Sequence, residues 1–314
     1  MRKLAEYIMR GRMQAITVVA VASAIPMMFW LSAAAVCLVL LRRGLNDALG
    51  VIVWALLPAL VWAYFDDPRP LLGLLGASGM AYILRATASW GKALLASVVL
   101  GVFFAGVLGV AFAQPLAVLG AEINSVMPEM LDQLYAQLSA EQQQQLHSLI
   151  IPVLTGLMAT VLQVLCVVSV LLARYWQAAL YNPGGFAQEF QRLRLPAVIV
   201  FPLVFGMLFA PSLGIQAVIL TPLCSVPLLF TGLAVTHGLV AKYRSGSFWL
   251  IGLYVGFVVL THIIYPFLVV LAVIDSVFDF RGLKNQNNLV VQLMIGCIVF
   301  QFFAKTLNFF LLLL

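Results

Sequence analysis

Residues 149–173 read LIIPVLTGLMATVLQVLCVVSVLLA, a run without one charged side chain. It has the length a helix needs to cross about 30 Å of hydrocarbon. No water in that layer can satisfy a backbone amide, so a spanning segment must close its hydrogen bonds internally, as an α-helix does. The run decides the fold class because similar stretches recur from end to end. Of the 314 residues, 64% are hydrophobic and only 9% charged, where a soluble domain carries about 25% charged residues. A lipid-facing barrel would need alternating strands of about ten residues, and none is visible. The expected fold is an all-α, polytopic transmembrane bundle of about nine to eleven helices, some short or broken by proline, forming one membrane domain over 1–314.

Directly after the run comes RYWQAALYNPGGFAQEFQRLRLP (174–196). Arg174, Arg192 and Arg194 make this a cytoplasmic loop by the positive-inside rule. Asn182-Pro183-Gly184-Gly185 is a turn signal. Phe186, Phe190 and Leu193 have the spacing of a short amphipathic helix at the interface. Directly before the run, residues 114–148 hold Glu122, Glu129, Asp132 and Glu141 and no Lys or Arg, so they read as a periplasmic segment. Ile123, Met127, Met130, Leu131, Leu134 and Leu138 fall on one helical face. Ser139 and Gln142 have capping-box spacing, which marks the start of a second short helix. The acidic polar face favours packing on the protein itself or on a partner over binding to anionic lipid.

Farther out, MRKLAEYIMRGR (1–12) is read as the basic flank of a retained first helix. Residues 13–41 are either one tilted span or two short helices meeting near Pro26. The second choice returns Arg42 and Arg43 to the cytoplasm beside the N-terminus and is preferred. Leu45–Phe65, Leu71–Leu84 and Ala93–Ala113 follow as spans, the first two separated by the acidic turn Asp66-Asp67-Pro68-Arg69-Pro70. Gly73, Gly76 and Gly79 suit close helix approach. Ala197–Pro211 and Gln216–Ala241 form the next pair, with Pro202, Pro222 and Pro227 as kink points. Residues 248–280 again divide, near His262 and Pro266, and 284–314 hold an additional C-terminal helix. With its N-terminus in the cytoplasm, the chain reads as a multi-pass protein of the bacterial inner membrane.

The net charge of +6 comes from bases at span ends and points to no nucleic acid. Cys37, Cys166, Cys224 and Cys297 are far apart within apolar runs and read as packing residues. There is no phosphate-binding glycine loop, nucleophile elbow, zinc-helix motif or cysteine pair, so neither an enzyme nor a cofactor is expected.

Ionisable groups at membrane depth are costly and usually face a cavity or a partner. In AVIDSVFDFRGL (272–283), Asp275 and Asp279 lie one helical turn apart, and Arg281 reaches them if the helix ends at Gly282. One reading is an ion or polar-substrate site, or a latch to a partner. The other is a helix-end cluster that fixes depth and pairs with Arg174 or Arg192. His237 and His262 lack a second ligand at helical spacing and read as buried, hydrogen-bonded residues rather than a metal site. Asp47 is expected to pair with Arg42 and Arg43, and Gln163, Gln292 and Gln301 to bond neighbouring helices.

Asp275-Ser276-Val277-Phe278-Asp279-Phe280-Arg281 resembles the D-S-x-F-D-F-R ending of the YybS-like family of bacterial membrane proteins. The segment Asn182-Pro183-Gly184-Gly185-Phe186, with Glu189-Phe190 and Leu193-Arg194-Leu195-Pro196, looks like the proteobacterial branch of that family. The resemblance implies a fold similar to the substrate-binding S components of energy-coupling-factor transporters, with a pocket near the outer face. It carries over no ligand residues. The candidate set for a ligand or partner is therefore Asp275, Asp279, Arg281, Arg174, Asn182, Gly184, Gly185, Glu189, Arg194, His237 and His262. The first function expected is transport-related binding of a small molecule or lipid-like ligand, coupled to a partner membrane protein or an ion gradient. The alternative is a scaffold or regulatory subunit that docks a partner through its cytoplasmic loops.

Overall fold

The computed structural model describes residues 1–130, 138–209, 217–246 and 248–282. These form 13 helices and no strand among the described residues. The expected C-terminal helix at 284–314, with Gln292, Cys297 and Gln301, lies outside them. Five helices are long and apolar enough to cross a membrane, and the chain is a multi-pass integral membrane protein. It divides into two compact units, Met1–Phe186 with Leu203–Pro227, and Ala187–Pro202 with Leu228–Leu314.

The first unit is built around α3 (Phe29–Arg43), every residue of which from Ser32 to Leu41 is buried. A helix that is apolar all round is covered either by protein or by lipid. Here α2 (Arg12–Ala24), α4 (Leu45–Tyr64), α5 (Arg69–Thr87) and α8 (Ala140–Tyr181) enclose it. The preferred reading of 13–41 as two helices holds. Pro26 keeps the residue before it out of the helical region, and Ile25 is extended at φ −83°, ψ 127°. Met27 then takes φ 64°. A short amphipathic helix, α1 (Arg2–Arg10), precedes α2 and buries Ala5 and Ile8.

The far end of α3 is finished by side chains. Helices leave their last carbonyls without internal partners. Arg85 donates to the carbonyls of Leu40 (3.0 Å) and Leu41 (2.6 Å), and Gln177 also reaches Leu41. Gly44 turns the chain at φ 101°. The helix α6 (Trp90–Ala111) packs on α5 and α8. Gly76 matters to this packing, since a Cβ there would come 2.6 Å from the Phe104 ring. Gly79 faces open space, so only part of the glycine series serves close approach.

Helix α7 (Ala113–Met130) leads towards the capping box, which is present. Gln142 N donates to Ser139 Oγ and Ser139 N to Gln142 Oε1. It does not open a short helix, however. It starts α8, which runs 42 residues or about 63 Å, through the opening run and on through Arg174 to Tyr181. The loop expected at 174–196 is thus helical at its start. Arg174 interrupts the apolar text but not the helix, because a charged residue has good helix propensity.

In the second unit the chain passes through α9 (Gly185–Gln191), the start of α10 (Ala197–Phe209), the end of α11 (Ala217–Lys242), α12 (Phe248–Val259) and α13 (Thr261–Phe278). The two-helix reading of 248–280 holds, with the break at Leu260 rather than at Pro266, which stays inside α13. A Cβ at Gly232 would land on the Leu268 carbonyl, so α11 and α13 touch backbone to backbone there.

Candidate functional site

The end of α13 holds the densest buried charge in the described residues. Asp275 is fully buried. The helix stops at Phe278, and Asp279 caps it in the left-handed region at φ 49°, its N–H bonded to the Asp275 carbonyl. Asp is one of the few non-glycine residues that take this conformation readily. The reversal brings Arg281 back over the last turn, as the sequence requires if its charge is to be met. Its Nη2 lies 2.7 Å from Asp275 Oδ2, and its Nη1 donates to the Gln191 carbonyl at 2.7 Å. Gly238 provides the room, since a Cβ there would come 2.7 Å from Arg281 Cδ.

The second cation comes from the segment after α9. Arg194 Nη1 pairs with Asp279 Oδ1 at 3.0 Å and Nε lies 3.8 Å from Asp275 Oδ2. Its Nη2 donates to the carbonyls of Asp275 (2.6 Å) and Ser276 (3.1 Å). One guanidinium thus contacts two acids and fills the orphan acceptors of a helix end, a task suited to its planar fork of donors. Lys242 Nζ donates to the Phe280 carbonyl at 2.8 Å. Two acids face two arginines, and the group is neutral overall. Its side chains are at most 10% exposed. Among the described residues, Asp275 Oδ1 and the Nε atoms of Arg194 and Arg281 find no hydrogen-bond partner.

The pairing differs from the one expected from sequence, which named Arg174 or Arg192. The partner is Arg194. Arg174 belongs to the first unit and bonds Gln177 at 2.6 Å. Arg192 is exposed. Asn182, Gly184 and Gly185 also belong to the first unit and form the expected turn, with Gly184 at φ 86° and Gly185 N–H on the Asn182 carbonyl. Glu189 is half-buried on α9. His237 Nε2 lies 2.8 Å from Tyr254 Oη, with the Phe190 ring edge-on at 5.4 Å, so its hydrogen-bonded reading holds, though it is half-buried. His262 departs from expectation. It is exposed, because it lies two residues past the Leu260 break, on the first turn of α13. No group of metal ligands occurs among the described residues.

Of two further polar positions, Gln163 keeps its expected role and Asp47 does not. Gln163 is fully buried and donates to Ser97 Oγ (2.9 Å) and the Leu223 carbonyl (3.2 Å), tying α8 to α6 and α11 as expected. Asp47 forms no ion pair among the described residues. Arg42 stacks on Tyr181 at 4.0 Å instead, and Arg43 donates to the Met9 carbonyl at 2.7 Å. No protein-family model, curated protein or solved structure matches the chain. The YybS-like resemblance therefore rests on its two short motifs.

Proposed function

We propose that the protein is a transport-related component of a bacterial inner membrane that binds a small molecule or lipid-like ligand without catalysing a reaction, and that the Arg194–Asp275–Arg281 cluster is the latch responding to that ligand. The single observation that carries this reading is the fully buried Asp275 at the end of a span-length apolar helix, with one carboxylate oxygen lacking a partner. An ionisable side chain at such a place is expensive and marks function more often than packing. The unmatched oxygen and the two unmatched Nε atoms are the atoms a polar ligand group or a bridging water would satisfy. The YybS-like resemblance supports a transport-related role through that family's likeness to S components, and it carries over no ligand residue.

Orientation follows the same reading. In the first unit, Arg2, Lys3 and Arg12 lie at the starts of α1 and α2, Arg10 at the end of α1, Arg42, Arg43 and Arg85 at the ends of α3 and α5, Lys92 at the start of α6 and Arg174 near the end of α8, whereas Arg69 pairs with Asp67 at the acidic Asp66-Asp67 turn. By the positive-inside rule those ends face the cytoplasm.

The test is a melting-temperature screen of the purified full chain against metabolites and lipids, run in parallel on Asp275→Asn. A ligand that binds only the native state raises the melting temperature in proportion to the logarithm of its concentration. The reading expects at least one such ligand, with the response lost in the variant. A flat screen, or an equal response in both proteins, refutes it.

One observation favours the scaffold alternative. The two segments expected to form a docking face are adjacent, as Arg194 and Gln191 contact the Asp275–Arg281 end. Their charges are consumed by one another, however, which leaves exposed Arg192 as the discriminating residue. Under that alternative, Arg192→Glu releases a co-purifying partner and leaves the melting temperature unchanged.

A further inference from the structure

We propose that the cleft between α2, α3 and α4 seats the headgroup of an anionic, hydroxyl-bearing phospholipid of the phosphatidylglycerol type. The cleft is lined by Arg12, Ala15, Val39, Arg43, Asp47 and Val51. Its floor is apolar, with Ala15, Val39 and Val51 buried, and its rim is charged and exposed. That division suits a lipid, whose glycerol and upper chains need an apolar wall and whose phosphate needs a donor.

The charge around the cleft is not balanced by the protein. Arg10 and Arg12 lie at the α1–α2 junction and Arg42 and Arg43 at the end of α3, and none forms an ion pair among the described residues. Arg42 is spent on the Tyr181 ring and Arg43 uses one donor on Met9. The remaining donors are unmatched, the positive-inside rule puts these helix ends on the cytoplasmic side, and basic pockets between helices on that side bind anionic headgroups. Gly50 positions one of them. A Cβ there would overlap the Arg12 guanidinium, so the arginine lies directly against α4.

Asp47 shares the rim and selects among anions. Its carboxylate repels a bare phosphate but accepts a hydrogen bond from a headgroup hydroxyl. A phosphodiester bearing glycerol meets both demands at once, with its phosphate on Arg12 and Arg43 and its hydroxyl on Asp47. The proposal is independent of the latch at α13, which lies in the other unit.

The test is native mass spectrometry of the full chain in neutral detergent, titrated with dioleoyl phosphatidylglycerol, phosphatidic acid or phosphatidylcholine. The first phosphatidylglycerol is expected to bind at least tenfold tighter than phosphatidylcholine and tighter than phosphatidic acid. That preference should fall at least fivefold in Arg12→Gln/Arg43→Gln and stay within twofold in Lys3→Gln/Lys92→Gln, which removes the same charge elsewhere. Gly50→Ala, which keeps every charge but displaces the Arg12 guanidinium, should also lower it. An equal fall in both double variants means that bulk charge suffices and overturns the site. Phosphatidic acid binding as tightly as phosphatidylglycerol, or displacement of the lipid by millimolar inorganic phosphate, overturns the headgroup assignment.

Discussion

Replacing Asp275 with Asn tests whether the α13 cluster is held together by its charges. The side chains of Asp275 and Arg281 are 0% and 3% exposed. Removing the carboxylate charge leaves Arg281 with the Gln191 carbonyl and Arg194 with Asp279 and two helix-end carbonyls. Breaking a buried pair from one side costs about 3–5 kcal/mol, most of it the cost of the stranded charge. Both cations keep a partner here, so the lower end applies. The expected loss is about 3 kcal/mol, or about a hundredfold in the unfolding equilibrium. Equilibrium unfolding in mixed micelles reads it directly. The companion variant Asp275→Asn/Arg281→Met removes the stranded charge and should recover at least half of the loss. A single variant within about 0.5 kcal/mol of the natural protein, the range of an ordinary surface change, would refute the reasoning. So would a double variant whose loss is the sum of the two single losses, since additivity signifies independent sites.

Other outcomes follow from the same geometry. Arg2→Gln breaks an i,i+4 pair whose side chains are 69% and 42% exposed; helicity and melting temperature should barely change, because exposed pairs contribute little. Gly232→Val should abolish folded protein in size-exclusion analysis, because the new side chain meets the Leu268 backbone, whereas Gly79→Ala, with nothing within 4 Å, should leave yield and melting temperature unchanged. Gly238→Ala should shift the melting temperature down by displacing Arg281, and Arg281→Lys should not rescue it fully, since an ammonium cannot reproduce the two-way fork. For orientation, a cysteine at Asp66 should react in whole cells with a membrane-impermeant maleimide, and one at Arg10 should not, both measured in a background without native cysteines.

The sequence discloses what depends on single elements and conceals what depends on pairs of them. Length and hydropathy suffice for an all-α membrane protein, since only a helix can close its own hydrogen bonds in lipid. Breaks at Pro26 and near 260 are legible because span length limits how far a helix can run before it must turn. The capping box is legible too, but not the 42 residues that follow it, because the charge at Arg174 alters hydropathy without altering helix propensity. Cluster members diverge in the same way. Asp275, Asp279 and Arg281 lie within one turn and a cap, so their association can be derived locally. Arg194 is 81 residues from Asp275; a family motif puts it in the candidate set, but nothing in its local spacing marks it rather than Arg192 as the partner of the acids. Only the segment's path decides between them, since it turns Leu193 and Leu195 into the core and directs the Arg194 between them at the helix end. The same holds for Asp47, whose two sequence neighbours Arg42 and Arg43 prefer a ring and a carbonyl from elsewhere in the fold. In a chain with so few charges, the positions of the charged residues are easily read but their partners are not. Measurements that couple two distant residues, as the Asp275–Arg281 cycle does, therefore bear more heavily on function here than any single substitution.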